Sequence, residues 1–173
     1  TQKADILEFT RDQLVSWLAE REIAAYRADQ IQKWIYLRQA DSFDVMTYLS
    51  KEIRLLLPQL FVIRRLEAEK IETSQDGSRK YLFKLKDGKY IETVLIPERD
   101  HYTLCVSSQA GCAQDCRFCL TAVGGFERNL TRGEIVAQAR DIKKDLGDEK
   151  PLTNIVFMGM GEPLANYKNL VAA

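Results

Sequence analysis

The stretch from Tyr90 to Met158 constrains the fold most, because its segments succeed one another in an order that points to one layout. Tyr90-Ile91-Glu92-Thr93-Val94-Leu95-Ile96 is nearly all apolar and stops at Pro97, and a second run follows at Tyr102–Val106. Next come a cysteine-rich loop, a helix predicted from about Thr131 to Leu146, and a buried-looking strand at Asn154–Met158. Thr131 with Glu134 three residues on is a capping box that fixes the helix start. Strand, loop, helix, strand begins a parallel α/β arrangement, whose sites lie at the carboxyl ends of strands. Asn166–Ala173 reads as the start of another helix, so the sheet is expected to be unfinished and the chain part of something longer.

The loop holds the chemistry. The chain has four cysteines, Cys105, Cys112, Cys116 and Cys119, and the last three fall in the spacing C-x3-C-x2-C. Three thiolates within eight residues can turn toward one soft metal centre. A structural zinc site wants four closed ligands, often as paired C-x2-C knuckles, and the x6, x3, x2 spacing does not match them. The single histidine, His101, does not sit where it would complete such a set. A [4Fe–4S] cluster usually takes four cysteines; with three, one iron keeps an open position for chemistry. Zinc or incidental thiols remain the alternative. Met158-Gly159-Met160-Gly161-Glu162-Pro163-Leu164 follows a predicted strand, and its glycines allow close backbone approach to a ligand while Glu162 can meet a positive amine.

The N-terminal third reads as a bundle of short helices. Thr10 and Gln13 form a capping box ahead of an amphipathic helix over residues 11–20. A second helix is predicted from Arg27 to Leu37, with Ile31, Trp34 and Ile35 on one face. Ser42 precedes a short turn around Asp44–Tyr48, and Ser50 caps a third helix, Lys51–Leu57, which Pro58 is expected to end. Trp17, Trp34 and Tyr36 are expected in the core; the sharper reading is an exposed edge that grips nucleic acid. After Pro58 the period changes to that of strands. Asp76-Gly77 and Asp87-Gly88 are hairpin-turn dipeptides, and Lys80–Lys86 alternates apolar and basic. From Arg64 to Lys89 eight basic side chains stand against five acidic, a surface able to touch phosphates or simply a solvated sheet face.

Global charge announces no nucleic-acid partner, since 25 basic and 25 acidic side chains cancel. No stretch approaches the roughly 18 apolar residues of a membrane helix, and residues 1–20 carry no secretory pattern. The chain is read as cytoplasmic, a compartment where clustered cysteines are metal ligands or redox groups more often than structural disulfides.

Cys112, Cys116, Phe118 and Cys119 resemble the C-x3-C-x-aromatic-C signature of radical S-adenosylmethionine (SAM) enzymes, and Gly161-Glu162-Pro163 resembles their cofactor-amine element. Leu104–Cys112, Gly125–Thr131, Met158–Leu164 and the helical segment Tyr26–Tyr36 together resemble the RlmN family, dual-specificity adenine-C2 methyltransferases of bacterial 23S rRNA and tRNA. The resemblance implies an α/β fold: a helical accessory, RNA-binding domain (1–60), a β-hairpin connector (61–88) and the first part of a partial (β/α) radical SAM barrel (89–173). It implies a [4Fe–4S] cluster on Cys112, Cys116 and Cys119, and S-adenosyl-L-methionine contacted by Gly161 and Glu162. Cys105 would be the second reactive cysteine, forming a transient disulfide, and Glu92 the proton acceptor, although a sheet carboxylate paired to a lysine is the ordinary reading of Glu92. Flavodoxin or ferredoxin would donate electrons to a monomer. The methyl-carrying cysteine would lie in a C-terminal half, and no cysteine follows Cys119, so this chain alone is expected not to methylate RNA. Two alternatives stand beside this one: a Cfr-like adenine-C8 methyltransferase, and a non-catalytic RNA-binding module stabilised by zinc.

Overall fold

The structure, a computed structural model, describes residues 3–114, 116–147 and 150–173. It divides into two units, Thr1–Arg65 and Leu66–Ala173.

In the first unit, strand β1 (Ala4–Asp5) pairs in parallel with β2 (Phe61–Val62), and three helices lie between them in sequence. Helix α1 (Arg11–Ala19) opens with both halves of its capping box: the Gln13 N–H donates to Thr10 Oγ1 (3.3 Å) and the Thr10 N–H to Gln13 Oε1 (2.9 Å). Helix α2 (Tyr26–Gln32) runs on into a wider π turn, Lys33–Leu37, so the segment expected as one helix has two windings. The buried side chains are mainly aliphatic, among them Leu14, Leu18, Ile31, Ile35 and Leu57.

Two expectations are corrected here. Trp17, Trp34 and Tyr36 are only half-buried. The tryptophans are covered partly by cations rather than by core: the Arg21 guanidinium lies 4.0 Å from the Trp17 ring centroid and that of Arg38 lies 4.4 Å from Trp34. Helix α3 runs Lys51–Leu60 and does not stop before Pro58. Proline removes one bond to the carbonyl of Arg54. Buried Leu57 and Phe61 flank it, and the Phe61 N–H still closes the helix by donating to the Leu57 carbonyl.

Asp5 carries a pH dependence. Its Oδ1 accepts from the backbone N–H of Leu7 (3.1 Å) and of Arg64 (3.4 Å), yet burial pushes its carboxyl above the usual carboxylate range. The folded chain therefore holds this proton to a higher pH than the unfolded chain, and stability falls as pH rises through the shifted value. Asp5→Asn keeps the acceptor and removes the ionisation. It is expected to raise the urea midpoint at pH 7, with the gain shrinking as pH falls through the shifted value and gone below about 4.

The second unit is built on a five-stranded sheet in the order β3 (Ala68–Thr73), β4 (Arg79–Lys84), β5 (Tyr90–Pro97), β6 (Tyr102–Cys105), β9 (Leu152–Val156). The first three pairings are antiparallel; β6 and β9 are parallel, joined through helix α5 (Arg132–Leu146). The two Asp-Gly dipeptides form the turns: the Asp76 and Asp87 carboxylates accept from the N–H of Ser78 (2.9 Å) and Lys89 (3.2 Å). Tyr81 faces Thr93 and Phe83 faces Ile91 across β4–β5, as Leu95 faces Leu104 across β5–β6. That face buries against Ile135, Ile142 and Leu146 of α5. The opposite face presents Glu92, Val94 and Cys105, because side chains alternate along a strand. The hairpin β3–β4 continues this sheet rather than standing apart from it.

The strand expected as buried at Asn154–Met158 is instead β9, and it is largely exposed: Ile155 keeps 50% of its surface and Met158 80%. Its pattern is that of an inner strand, but among the described residues it has one partner, β6, and lies at the sheet edge. The chain ends in a 3-10 turn, Pro163–Asn166, and helix α6 (Tyr167–Ala172). Among the described residues no helix is long and apolar enough to cross a membrane.

Candidate cluster and cofactor site

At the carboxyl end of β6 the chain leaves the sheet through Val106-Ser107-Ser108-Gln109. All four are almost completely buried, although the last three are polar. The Ser107 N–H donates to Gln138 Oε1 (2.8 Å), and Gln138 Nε2 returns a bond to the Ser107 carbonyl (2.9 Å). Ser107 Oγ donates to the Glu92 carbonyl (2.5 Å) and accepts from the Met160 N–H (2.9 Å). The Met160 carbonyl accepts from the N–H groups of Ser108 (2.8 Å) and Gln109 (3.1 Å). The loop after β9 is thus laid along Val106–Gln109. It lies so close that side chains are excluded: a Cβ on Gly159 would meet the Val106 carbonyl oxygen at 2.7 Å, and one on Gly161 the Cγ of Gln109 at 2.6 Å. The sequence suggests that these glycines admit a ligand. In the structure Gly159 admits the protein's own backbone and Gly161 the Gln109 side chain.

The cysteine loop grows from the same stretch. Strand β7 (Gln109–Gly111) pairs with β8 (Phe126–Asn129), and the Cys112 N–H donates to the Gly125 carbonyl (3.0 Å), closing the loop at its base. Ion pairs hold the exit strand: Arg128 forks onto Glu134 (2.8 Å for both bonds) and reaches Asp87 (2.6 Å), while Glu127 pairs with Lys89. Both carboxylates push the Arg128 guanidinium further above its ordinary value. The crest is open, with Phe118 92% and Leu120 89% exposed, the latter in the short helix α4 (Leu120–Val123).

Cys112 and Cys119 are half-buried, Cys116 is exposed, and all four cysteines are free thiols. The Ala122 and Thr121 backbone N–H groups hold the Cys119 thiol below its usual value. This donor set suits a thiophilic centre: three free thiols on one loop, with N–H groups favouring a thiolate at one of them. The thiols are not drawn together, however. Among the described residues no three His, Cys, Asp or Glu side chains are gathered closely enough to hold a metal ion; Asp115, within the loop, lies outside those residues.

Cys105 sits opposite Val94 on the sheet face that also carries Glu92. Burial pushes its thiol up, against a hydrogen bond with the Met158 backbone. The Glu92 carboxylate pairs with Lys80 (3.1 Å), which also meets Glu72 (3.2 Å). The Glu162 carboxylate accepts from the Leu164 N–H (3.0 Å) and caps the turn that begins at Pro163. The structure therefore joins Gly161, Glu162 and the root of the cysteine loop through Gln109, and Cys105 to the same loop through Met158. Motif reading includes Ser107 and Gln109 in the Leu104–Cys112 stretch without assigning them a supporting role, and it gives none to Gln138 or Asn166. Asn166 Nδ2 donates to the carbonyls of Ser108 and Leu130, both at 2.8 Å. The available signal was a polar triplet, Ser107-Ser108-Gln109, directly after an apolar strand.

Comparison with known proteins finds relatives along nearly the whole chain. Residues 4–63 match the family described as the ribosomal RNA large subunit methyltransferase N-terminal domain. The chain is 54% identical over 169 residues to the dual-specificity RNA methyltransferase RlmN of Desulfosudis oleivorans, covering 98% of this chain and 46% of that protein. It is 50% identical over 169 residues to RlmN of Geobacter sulfurreducens, again covering 98% and 46%. The crystal structure of a radical SAM methyltransferase from Sphaerobacter thermophilus aligns with a TM-score of 0.85 at 39% identity, over 98% of this chain and 51% of that one. The chain spans about half the length of the relatives it matches. With the N-terminal domain matched at residues 4–63 and with these relatives along nearly all of its length, the chain is similar to about half the length of RlmN proteins and of a radical SAM methyltransferase.

Proposed function

We propose that this chain forms part of an enzyme that methylates C2 of adenine in 23S rRNA and tRNA, by way of a methylated cysteine outside this sequence. One observation carries the reading. The cysteine loop and the Gly159–Glu162 loop share a single support, Val106–Gln109, at the carboxyl end of β6. Cys112, Cys116 and Cys119 would hold a [4Fe–4S] cluster, with Gly161 and Glu162 on S-adenosylmethionine. When bound, the two supply an electron and the methyl and radical chemistry that an aromatic carbon, a poor nucleophile, requires.

The protein's own groups then have separable tasks. The Glu162 carboxylate and the backbone around Gly161 orient the cofactor's ammonium. Cys105, raised by its buried setting, stays a neutral thiol until a partner reaches it. Glu92, on the same sheet face, accepts a proton and must part from Lys80 to do so. Flavodoxin or ferredoxin would supply electrons, and the Arg-backed aromatics of the first unit would offer stacking surfaces to RNA.

Anaerobic reconstitution with iron and sulfide tests the assignment. The parent is expected to take up about four irons per chain and to absorb broadly at about 400 nm. Serine at Cys112, Cys116 or Cys119 should each reduce iron to below about one per chain, while Cys105→Ser keeps the full complement. A parent that takes one zinc in preference to iron, or a triple serine variant that still holds the cluster, would refute it.

A further inference from the structure

Gln109 belongs to neither motif, yet both loops depend on it. It is the first residue of β7 and 2% exposed. Its carboxamide is engaged at both ends: Oε1 accepts from the Glu162 N–H (2.9 Å) and Nε2 donates to Asn129 Oδ1 (2.8 Å). Asn129 Nδ2 in turn donates to the Ala165 carbonyl (3.4 Å). The orientation of this chain of amides is dictated from outside it. A backbone N–H can only donate, so Oε1 must face Glu162; a backbone carbonyl can only accept, so Asn129 must turn its NH2 to Ala165 and its oxygen to Gln109. Neither amide can flip without leaving two like groups face to face.

The packing is as specific as the hydrogen bonding. Gly161, at φ +94°, lies over the Gln109 side chain, where a Cβ would come within 2.6 Å of Cγ and 2.8 Å of the Gln109 nitrogen. The carboxamide therefore sets the height of the Gly161–Glu162 peptide above β7. Two residues further on, Gly111 leads into Cys112. Beside the bonds that Ser107, Ser108 and the Gln109 backbone make to Met160, this side chain thus ties the Glu162 end of the glycine loop to the root of the cysteine loop.

We infer that Gln109 is the positioning residue that holds the S-adenosylmethionine loop in register with the cluster loop, without touching either ligand. The inference rests on the cofactor assignment proposed above and adds a requirement: a carboxamide is needed, and neither an apolar side chain nor a carboxylate replaces it. Q109L removes both bonds. Q109E keeps the acceptor for Glu162 but sets an oxygen against the oxygen of Asn129.

Two measurements on the protein that carries this sequence decide the matter. Without cofactors, the Glu162 amide is expected to exchange with deuterium about ten-fold faster in Q109L than in the parent, the effect of one lost hydrogen bond. After anaerobic reconstitution, equilibrium dialysis should give S-adenosylmethionine binding about ten-fold weaker in Q109L, with Q109E in between, while iron content and the absorbance at about 400 nm stay at parent values. Equal affinity and equal exchange in Q109L and parent would overturn the inference and leave the cofactor assignment standing. Loss of iron in step with loss of S-adenosylmethionine would also overturn it, because Gln109 would then brace the whole site. A reconstituted parent that binds no S-adenosylmethionine would instead overturn the assignment on which it rests.

Discussion

Replacing Gln138 by leucine is expected to destabilise the Leu66–Ala173 unit by about 4 kcal/mol, the effect of orphaning three buried polar groups at once. Gln138 is wholly buried in α5, as are Thr93 and Ser107, which it bridges. Its Oε1 accepts from Thr93 Oγ1 (2.7 Å) and from the Ser107 N–H, and its Nε2 donates to the Ser107 carbonyl. Leucine fills a similar volume but bonds none of them. Each orphaned group costs about 1–3 kcal/mol, offset in part by the added apolar contact of about 1–2 kcal/mol. Urea unfolding reads the loss directly. Thr93→Val on the leucine background removes one orphan and should recover about 1 kcal/mol. A cost below about 1 kcal/mol would mean that water reaches Ser107, and the support of the glycine loop would need another explanation.

What the sequence makes legible and what it hides divide along the range of the interactions. The boxes at Thr10–Gln13 and Thr131–Glu134 close within three residues, and both form as expected. The Asp-Gly turns and the alternation of Tyr81, Phe83 and Leu85 are equally local, and they form too. Pro58 reads locally as a stop, but burial of Leu57 and Phe61 carries α3 past it. Ile155 has the neighbours of an inner strand; its exposure depends on which strands lie beside it, and no local pattern reports that. Tryptophans announce apolar area without saying that an arginine will cover one face. The candidate site shows the same division. Spacing singles out Cys112, Cys116 and Cys119, and turn chemistry singles out Gly161 and Glu162, all within short windows. Gln109 and Gln138 reach 53 and 31 residues along the chain for their partners, and their types alone mark them as surface residues.

The glycines around the cysteine loop allow that distinction to be tested at one place, and Gly111→Ala is expected to have the largest local effect. Gly111 has φ +73°, and a Cβ there would overlap the Gly125 carbonyl oxygen and lie 3.0 Å from its carbon and 3.2 Å from Phe126 Cα. All three are backbone atoms, so no rotamer change relieves the overlap. Strands β7 and β8 must separate, and the Cys112 N–H loses its bond to Gly125. Left-handed strain of about 1–2 kcal/mol, a lost hydrogen bond of about 1 kcal/mol and the displaced strand together give roughly 3 kcal/mol. Its neighbours provide the scale. Gly125 has φ +72° but open space around a Cβ, so alanine there should cost only the strain, about 1–2 kcal/mol. Gly124 lies at φ −75° with its nearest contact at 3.6 Å, so alanine should change stability by less than about 0.5 kcal/mol. Urea midpoints should therefore fall in the order Gly124, Gly125, Gly111. Exchange of the Cys112 amide should accelerate only in the last, and iron retention after reconstitution should fall with it. If Gly111→Ala holds iron as the parent does, the base of the loop is not what presents its thiols, and the crest that carries Cys116 and Cys119 organises itself.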